Sequence, residues 1–285
     1  NAARMYRKNN TSVNEKDMML FVTAGLGGMS GAQPKAAKIA GVISITAEIN
    51  PKAANKRFDQ GWVDVVCDNL QDVMNTVAKA RENKEATSIA YIGNIVDLWE
   101  FIDKNNIKVE LGSDQSSLHN PWAGGYYPVG ISYEESNKMM AEEPEKFKQE
   151  IQSTLRRHAS AINNLHAKGM YFFDYGNAFL LEASRAGADI MNTDGTFKYP
   201  SYVQDILGPM CFDYGFGPFR WVCTSGNAQD LATTDAIATE VLEKIVETAP
   251  DEIIQQLNDN IIWIKAANEN KMVVGSQARI LYADA

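Results

Sequence analysis

Phe21 to Gly41 reads FVTAGLGGMSGAQPKAAKIAG, an apolar run that ends in a glycine-packed loop and opens at once into an alanine-rich helix. Glycines 25, 27, 28 and 31 are expected to allow positive φ and close backbone approach. A helix beginning near Ala32, with Pro34 in its first turn, turns its unpaired N–H groups toward whatever anion precedes it. Such a terminus contributes about 0.3–1 kcal/mol per favourable charge, up to about 2 when partly buried. It can position a pyrophosphate but cannot alone hold a whole cofactor.

Outward from this stretch, strands and helices alternate. Apolar runs at Met18–Ala24, Val42–Glu48, Asp64–Cys67, Ala86–Ile92 and Ile107–Leu111 read as strands. Between them, Asp68 or Asn69 caps a helix with apolar positions at Leu70, Val73, Met74 and Val77, and another helix runs through Leu98, Phe101 and Ile102. Alternation of this kind predicts an α/β fold, a Rossmann-like doubly wound parallel sheet. Gly112–Ser132 reads as a long loop, and its aromatics argue for order. Glu134–Ala167 reads as two helices broken at Pro144, followed by a strand at Tyr171–Asp174 and a helix at Asn177–Ala186. From Ile190 the chain reads as irregular up to GFGPFRWVCTSG at 215–226, and Asp235–Asn270 is helical again. The expected division is a Rossmann-like domain over 1–207 and part of a second, mixed α/β core domain over 208–285.

Composition narrows the chemistry. With 285 residues and 45% apolar content the chain can bury a sizeable core. A net charge of −9, with no dense Lys/Arg run, argues against a nucleic-acid partner. Cys67, Cys211 and Cys223 form no CxxC pair and no even framework, so neither zinc nor disulfides are expected, and a reducing compartment fits better. No apolar run approaches the roughly 18 residues of a membrane span, and no signal pattern opens the chain, so a cytoplasmic protein without a membrane partner is expected. The chain starts at Asn1 without Met and stops after the apolar ARILYADA, as a piece of something longer would.

The loop pattern is G-x-G-G-x-S-G, and Glu48 closes the next strand 17 residues after Gly31. That is near the offset of about 20 at which an acid accepts hydrogen bonds from an adenosine ribose, and an acid there favours NAD over NADP. The alternative is that the glycines serve helix packing and Glu48 merely ends a strand. Asn94, after the Ala86–Ile92 strand, is either a ligand contact or a turn residue. Asp114, Gln115, Ser116, Ser117 and His119, ahead of Tyr126 and Tyr127, look like a binding loop. His158 and His166 lie on a charged helix, where a solvated role is expected. Asp174 and Tyr175 end another strand and should face the same crevice. Arg220 in GFGPFRW is either presented by a rigid loop to a carboxylate or an ordinary surface arginine, and Cys223 reads as a small buried hydrophobe.

Taken together, TAGLGGMSGAQPKAA, SDQSSLHNPWAGGYYPVG, FDYGN and GPFRW closely resemble the urocanase family, over about Phe21 to Ala285. The resemblance implies a lyase, urocanate hydratase, that adds water to urocanate to give imidazolonepropionate in histidine degradation. It also implies a cytosolic homodimer with tightly bound NAD+ used as an electrophile rather than a hydride acceptor. Carried over residue by residue, the family's NAD contacts fall on Gly28, Met29, Ser30, Glu48, Asn94 and Ile95. They continue through Gln115, Ser116, Ser117, Leu118 and His119 to Tyr126, Tyr127 and Tyr175. Arg220 is the candidate catalytic residue, taking the substrate carboxylate, and no metal is implied. Where bacterial members carry an active-site cysteine after Ala-Arg-Ile, Ala278-Arg279-Ile280 is followed here by Leu281. The family's chains are also much longer, so this piece is expected to turn over weakly or not at all. The readings left beside this one are an NAD-dependent oxidoreductase and a non-catalytic dinucleotide-binding module.

Overall fold

The quoted stretch folds as strand β1 (Leu20–Ala24), a glycine loop, one 3-10 turn at Ser30–Ala32 and helix α2 (Gln33–Ile39), with α1 (Ala2–Asn9) ahead of it. The computed structural model describes residues 1–10, 18–28, 30–223, 225, 227–269 and 277–284, with backbone alone over 216–223, 266–269 and 277–284. The described chain forms two compact units, Ala2–Tyr202 and Val203–Ala285.

In the first unit the strands are β1, β2 (Ile43–Glu48), β3 (Val65–Cys67), β4 (Ser88–Ile92), β5 (Leu111–Asp114) and β6 (Tyr171–Asp174). They form one sheet in the order β3-β4-β2-β1-β5-β6, every pair parallel. Parallel strands covered on both faces read as near-continuous apolar runs, and β1, β2 and β4 are buried almost throughout. The connecting helices are α3 (Pro51–Asp59), α4 (Leu70–Asn83), α5 (Ile95–Lys104), α6 (Tyr133–Glu142), α7 (Pro144–Ala167) and α8 (Phe179–Arg185).

Local chemistry sets their ends. Asn50, Asn69 and Asn94 each place a side-chain oxygen on a backbone N–H of the first turn, and Ser132 with Glu135 forms a capping box on α6. Pro51 and Pro144 sit in first turns, where the missing N–H costs nothing. On α7 the buried stripe Phe147, Ile151, Leu155, His158, Ile162 and Leu165 follows the helical period. Each fully buried large apolar side chain in it contributes about 1.5–3 kcal/mol.

Three expectations change. Pairing of Phe21 with Leu111 and Val22 with Gly112 starts β5 at Leu111, so Gly112–Asp114 belong to the strand and not to the loop, and Ile107–Glu110 lead into it. His158 is fully buried, because the charge on α7 is confined to its outer face. GFGPFRW is not a loop: Phe216–Cys223 is a strand.

The second unit holds that strand, β7, paired antiparallel with β8 (Gln277–Asp284), after a short helix α9 (Gly208–Met210). Its longer helices α10 (Ala228–Val246) and α11 (Asp251–Glu269) bury Leu231 and Leu242 on the first and Ile253, Leu257, Ile261 and Ile264 on the second. No helix among the described residues is long and apolar enough to cross a membrane.

Candidate functional site

The chain after β1 turns toward β2 and β4, while the chain after β5 turns toward β6, so the sheet has a topological switch point between β1 and β5. Over the C-terminal edge there lies a cavity of about 540 Å³, within the size range of small-molecule sites. One wall is the glycine loop, with Gly25, Gly27, Gly28 and Ser30; the ends of β2 and β4 add Glu48, Asn94 and Ile95. The segment after β5 supplies Gln115, Ser116, Ser117, His119, Tyr126 and Tyr127, and Asn177 closes the side beyond β6.

Of the four loop glycines, Gly25 uses a positive φ, +91°. A Cβ on Gly25 would also meet Ser30 Oγ at 3.0 Å and the Gln115 carbonyl at 3.2 Å, so the loop closes tightly there. Gly27, Gly28 and Gly31 are outside the positive-φ set, which corrects the expectation for them. Glu48 accepts the N–H groups of Leu26 at 2.7 Å and Asn50 at 2.9 Å, one on each carboxylate oxygen. Burial pushes its carboxyl up, against these donors, which pull it down. Asn94 accepts from Val96 N–H and donates to the Tyr127 carbonyl, both at 2.9 Å, so it caps α5 and ties the end of β4 to the far wall.

Gln115 is 5% exposed, and among the described residues its carbonyl Oε1 has no hydrogen-bond partner. A buried, unmet acceptor at a cavity wall is costly unless a ligand or water donates to it. Beneath it, Asp114 is completely buried and takes the N–H and hydroxyl of Ser116 at 2.9 and 3.3 Å. Burial, chiefly, with Asp174 nearby, lifts the Asp114 carboxyl to about 7. Tyr126 hydrogen-bonds His158 Nδ1 at 2.8 Å, and burial holds that imidazole neutral, with its pKa pushed down to about 3. Tyr127 donates to Asn137 at 3.1 Å, and burial with neighbouring Tyr133 pushes its hydroxyl up to about 12.

The remaining expected residues fall elsewhere. Leu118 is fully buried in the core beneath the cavity, and Tyr175 stacks on Tyr202 with ring centroids 4.9 Å apart. Met29 lies outside the described residues. Arg220 belongs to the second unit, on β7 opposite Ile280; Leu281 is opposite Phe219, and the side chains of both strands lie outside the described residues. No local motif marks Asn177, which donates to the Gln115 carbonyl at 2.9 Å, or His158 behind Tyr126.

A doubly wound parallel sheet, with a glycine loop after its central strand and a polar cavity at its switch point, defines a Rossmann-like α/β domain. Residues 2–206 match the family model for the urocanase Rossmann-like domain, and residues 209–285 match that for the urocanase C-terminal domain. The chain belongs to the urocanase family. It is 58% identical over 271 residues to a probable urocanate hydratase of Dictyostelium discoideum, covering 93% of this chain and 40% of that protein. It is 55% identical over 271 residues to a probable urocanate hydratase of Caenorhabditis elegans, with the same coverage. Against the urocanate hydratase of Homo sapiens it is 50% identical over 293 residues, covering all of this chain and 43% of that protein. The chain thus spans about 40% of the length of these curated relatives.

Proposed function

We propose that this chain carries the NAD+ site of a urocanate hydratase, the enzyme that adds water to urocanate to give imidazolonepropionate. The observation that carries the reading is the unmet Gln115 Oε1 at the wall of a cavity bounded on its other side by a glycine loop. A dinucleotide fits that lining: a carboxamide or ribose hydroxyl can donate to Gln115, and the loop offers a pyrophosphate the N–H groups of Gly27 and Gly28, which meet no protein acceptor among the described residues. Each oxygen of Glu48 keeps a lone pair for a ribose hydroxyl, and its charge disfavours a 2′-phosphate, which supports NAD over NADP. Bound NAD+ would supply an electrophilic nicotinamide ring to the electron-rich imidazole of the substrate. The protein's part is orientation: Asn94 and Glu48 hold the walls, and the buried Tyr126–His158 pair fixes the wall formed by 124–127.

From the sequence motif alone, Arg220 is assigned to the substrate carboxylate. The whole enzyme is proposed to work as a cytosolic homodimer within histidine degradation, acting on a small molecule without nucleic acid or membrane. Calorimetric titration of the chain with NAD+, together with urocanate turnover by the full-length enzyme, tests this reading. Loss of urocanate near-UV absorbance without a reduced-nicotinamide signal is the expected result. Stoichiometric NADH from an alcohol substrate would instead make the protein a conventional oxidoreductase.

A further inference from the structure

Arg57, on α3, lies against the side of the glycine loop away from the cavity. Its Nε donates to the Leu26 carbonyl at 3.1 Å, its Nη2 to the Gly27 carbonyl, and its Nη1 to Gln60 Oε1 at 2.8 Å. It crosses so close to Gly31 that a Cβ there would fall 2.2 Å from Nε. Two successive carbonyls therefore face one guanidinium. The described chain has no cis peptide bond, and across a trans peptide the following N–H points opposite to the carbonyl. The N–H groups of Gly27 and Gly28 thus point away from Arg57. Gly27 and Gly28 line the cavity and Arg57 does not; among the described residues neither N–H donates to a protein acceptor. Glu48 fixes the preceding peptide by taking the Leu26 N–H.

We infer that Arg57 is a positioning residue that turns the Gly27 and Gly28 N–H groups into the cavity as a paired seat for a phosphate or pyrophosphate group. Adjacent backbone donors of this kind form an anion-binding concavity. The inference deepens the dinucleotide reading of the cavity and rests on it. It also gives Gly31 a different purpose from the one its spacing implies: it makes room for the guanidinium. Lysine cannot replace the fork, since a single ammonium lacks the planar donors that reach two carbonyls and Gln60 together.

The test compares Arg57→Met, Arg57→Lys and Gly31→Ala in the 285-residue chain, with NAD+, inorganic pyrophosphate and adenosine as calorimetric probes and circular dichroism to check folding. Arg57→Met should weaken NAD+ and pyrophosphate by about tenfold, the loss of one well-placed polar interaction, and leave adenosine within about twofold. Gly31→Ala should drive the guanidinium off the loop, reproduce the same split, and add nothing in the Arg57→Met background. Should Arg57→Met not fold, Arg57→Lys and Gly31→Ala read the same split. Undiminished NAD+ and pyrophosphate binding by Arg57→Met, or an equal loss of adenosine, would overturn the inference. A wild-type chain that holds pyrophosphate through Arg57 but takes no NAD+ supports the seat and removes the dinucleotide reading. Failure to bind either removes both.

Discussion

Replacing Asp114 with asparagine should change how stability depends on pH. Asp114 ends β5 in register with Asp174 of β6, fully buried, with both oxygens engaged by Ser116. Burial, with a contribution from Asp174, raises its carboxyl from 3.8 to about 7. Between those values the folded chain keeps a proton that the unfolded chain releases, so stability falls as pH rises through the window and levels off above it. At about 1.36 kcal/mol per unit, a displacement of about three units amounts to about 4 kcal/mol at most. Asp114→Asn keeps the shape and removes the titration. Its unfolding free energy, measured by urea denaturation from about pH 4 to about pH 8, should gain on wild type across that window and run parallel above about pH 7. Asp174→Asn, by removing a neighbouring charge, should move the window to lower pH. Wild-type and Asp114→Asn curves that stay parallel across the whole range would refute the reasoning.

Glu48→Gln leaves one of the Leu26 and Asn50 N–H groups without its acceptor, a cost of about 1.5–3 kcal/mol. Thermal denaturation should show that loss and calorimetry a weaker NAD+ affinity; unaltered binding would release Glu48 from the site. In Gly125→Ala the new Cβ would lie 2.0 Å from the Ser117 backbone carbonyl, an overpacking cost of about 1–3 kcal/mol. An unchanged melting temperature would mean that the 115–127 segment is looser than the geometry requires. His158→Phe strands the buried Tyr126 hydroxyl and should cost about 1–3 kcal/mol in urea. In the wild-type chain the His158 pKa lies at about 3, below the ordinary 6.5, so this group opposes folding only as pH falls below that ordinary value. Its ring resonances should therefore stay neutral from about pH 5 to about pH 9, and a midpoint near the ordinary histidine value of about 6.5 would contradict that burial.

The periodic part of the fold was legible because each signal is local. Asn69 ahead of an apolar stripe, Pro144 between two charged helices, and apolar runs bounded by glycine each announce an element within a few residues. The limits of β5 were not, because Ile107–Leu111 carries the apolar pattern while pairing with β1 and β6 starts at Leu111. β7 was hidden for a similar reason. Its Gly and Pro read as a rigid loop, and the partner that makes it a strand lies at Gln277–Asp284, far along the chain. At the cavity, position after a strand located Glu48, Asn94 and Gln115, whereas nothing local marks Arg57, Asn177 or His158, which reach their partners only through tertiary packing. Leu118 and Tyr175 show the converse: neighbours in sequence of wall residues, they turn into the core and onto Tyr202.

The place of β1 in the sheet also bears on how the chain is made. β1 pairs on one side with β2, which begins at Ile43, and on the other with β5, which begins at Leu111. During synthesis from the N-terminus, β1 can dock on β2, and β4 on β2, before any of β5 has been made. Until then the middle of the finished sheet is an open, apolar edge with unpaired backbone groups. Between the appearance of β4 and the docking of β5, the nascent chain therefore exposes a template for pairing with other chains, and this is the interval in which a chaperone would protect it most.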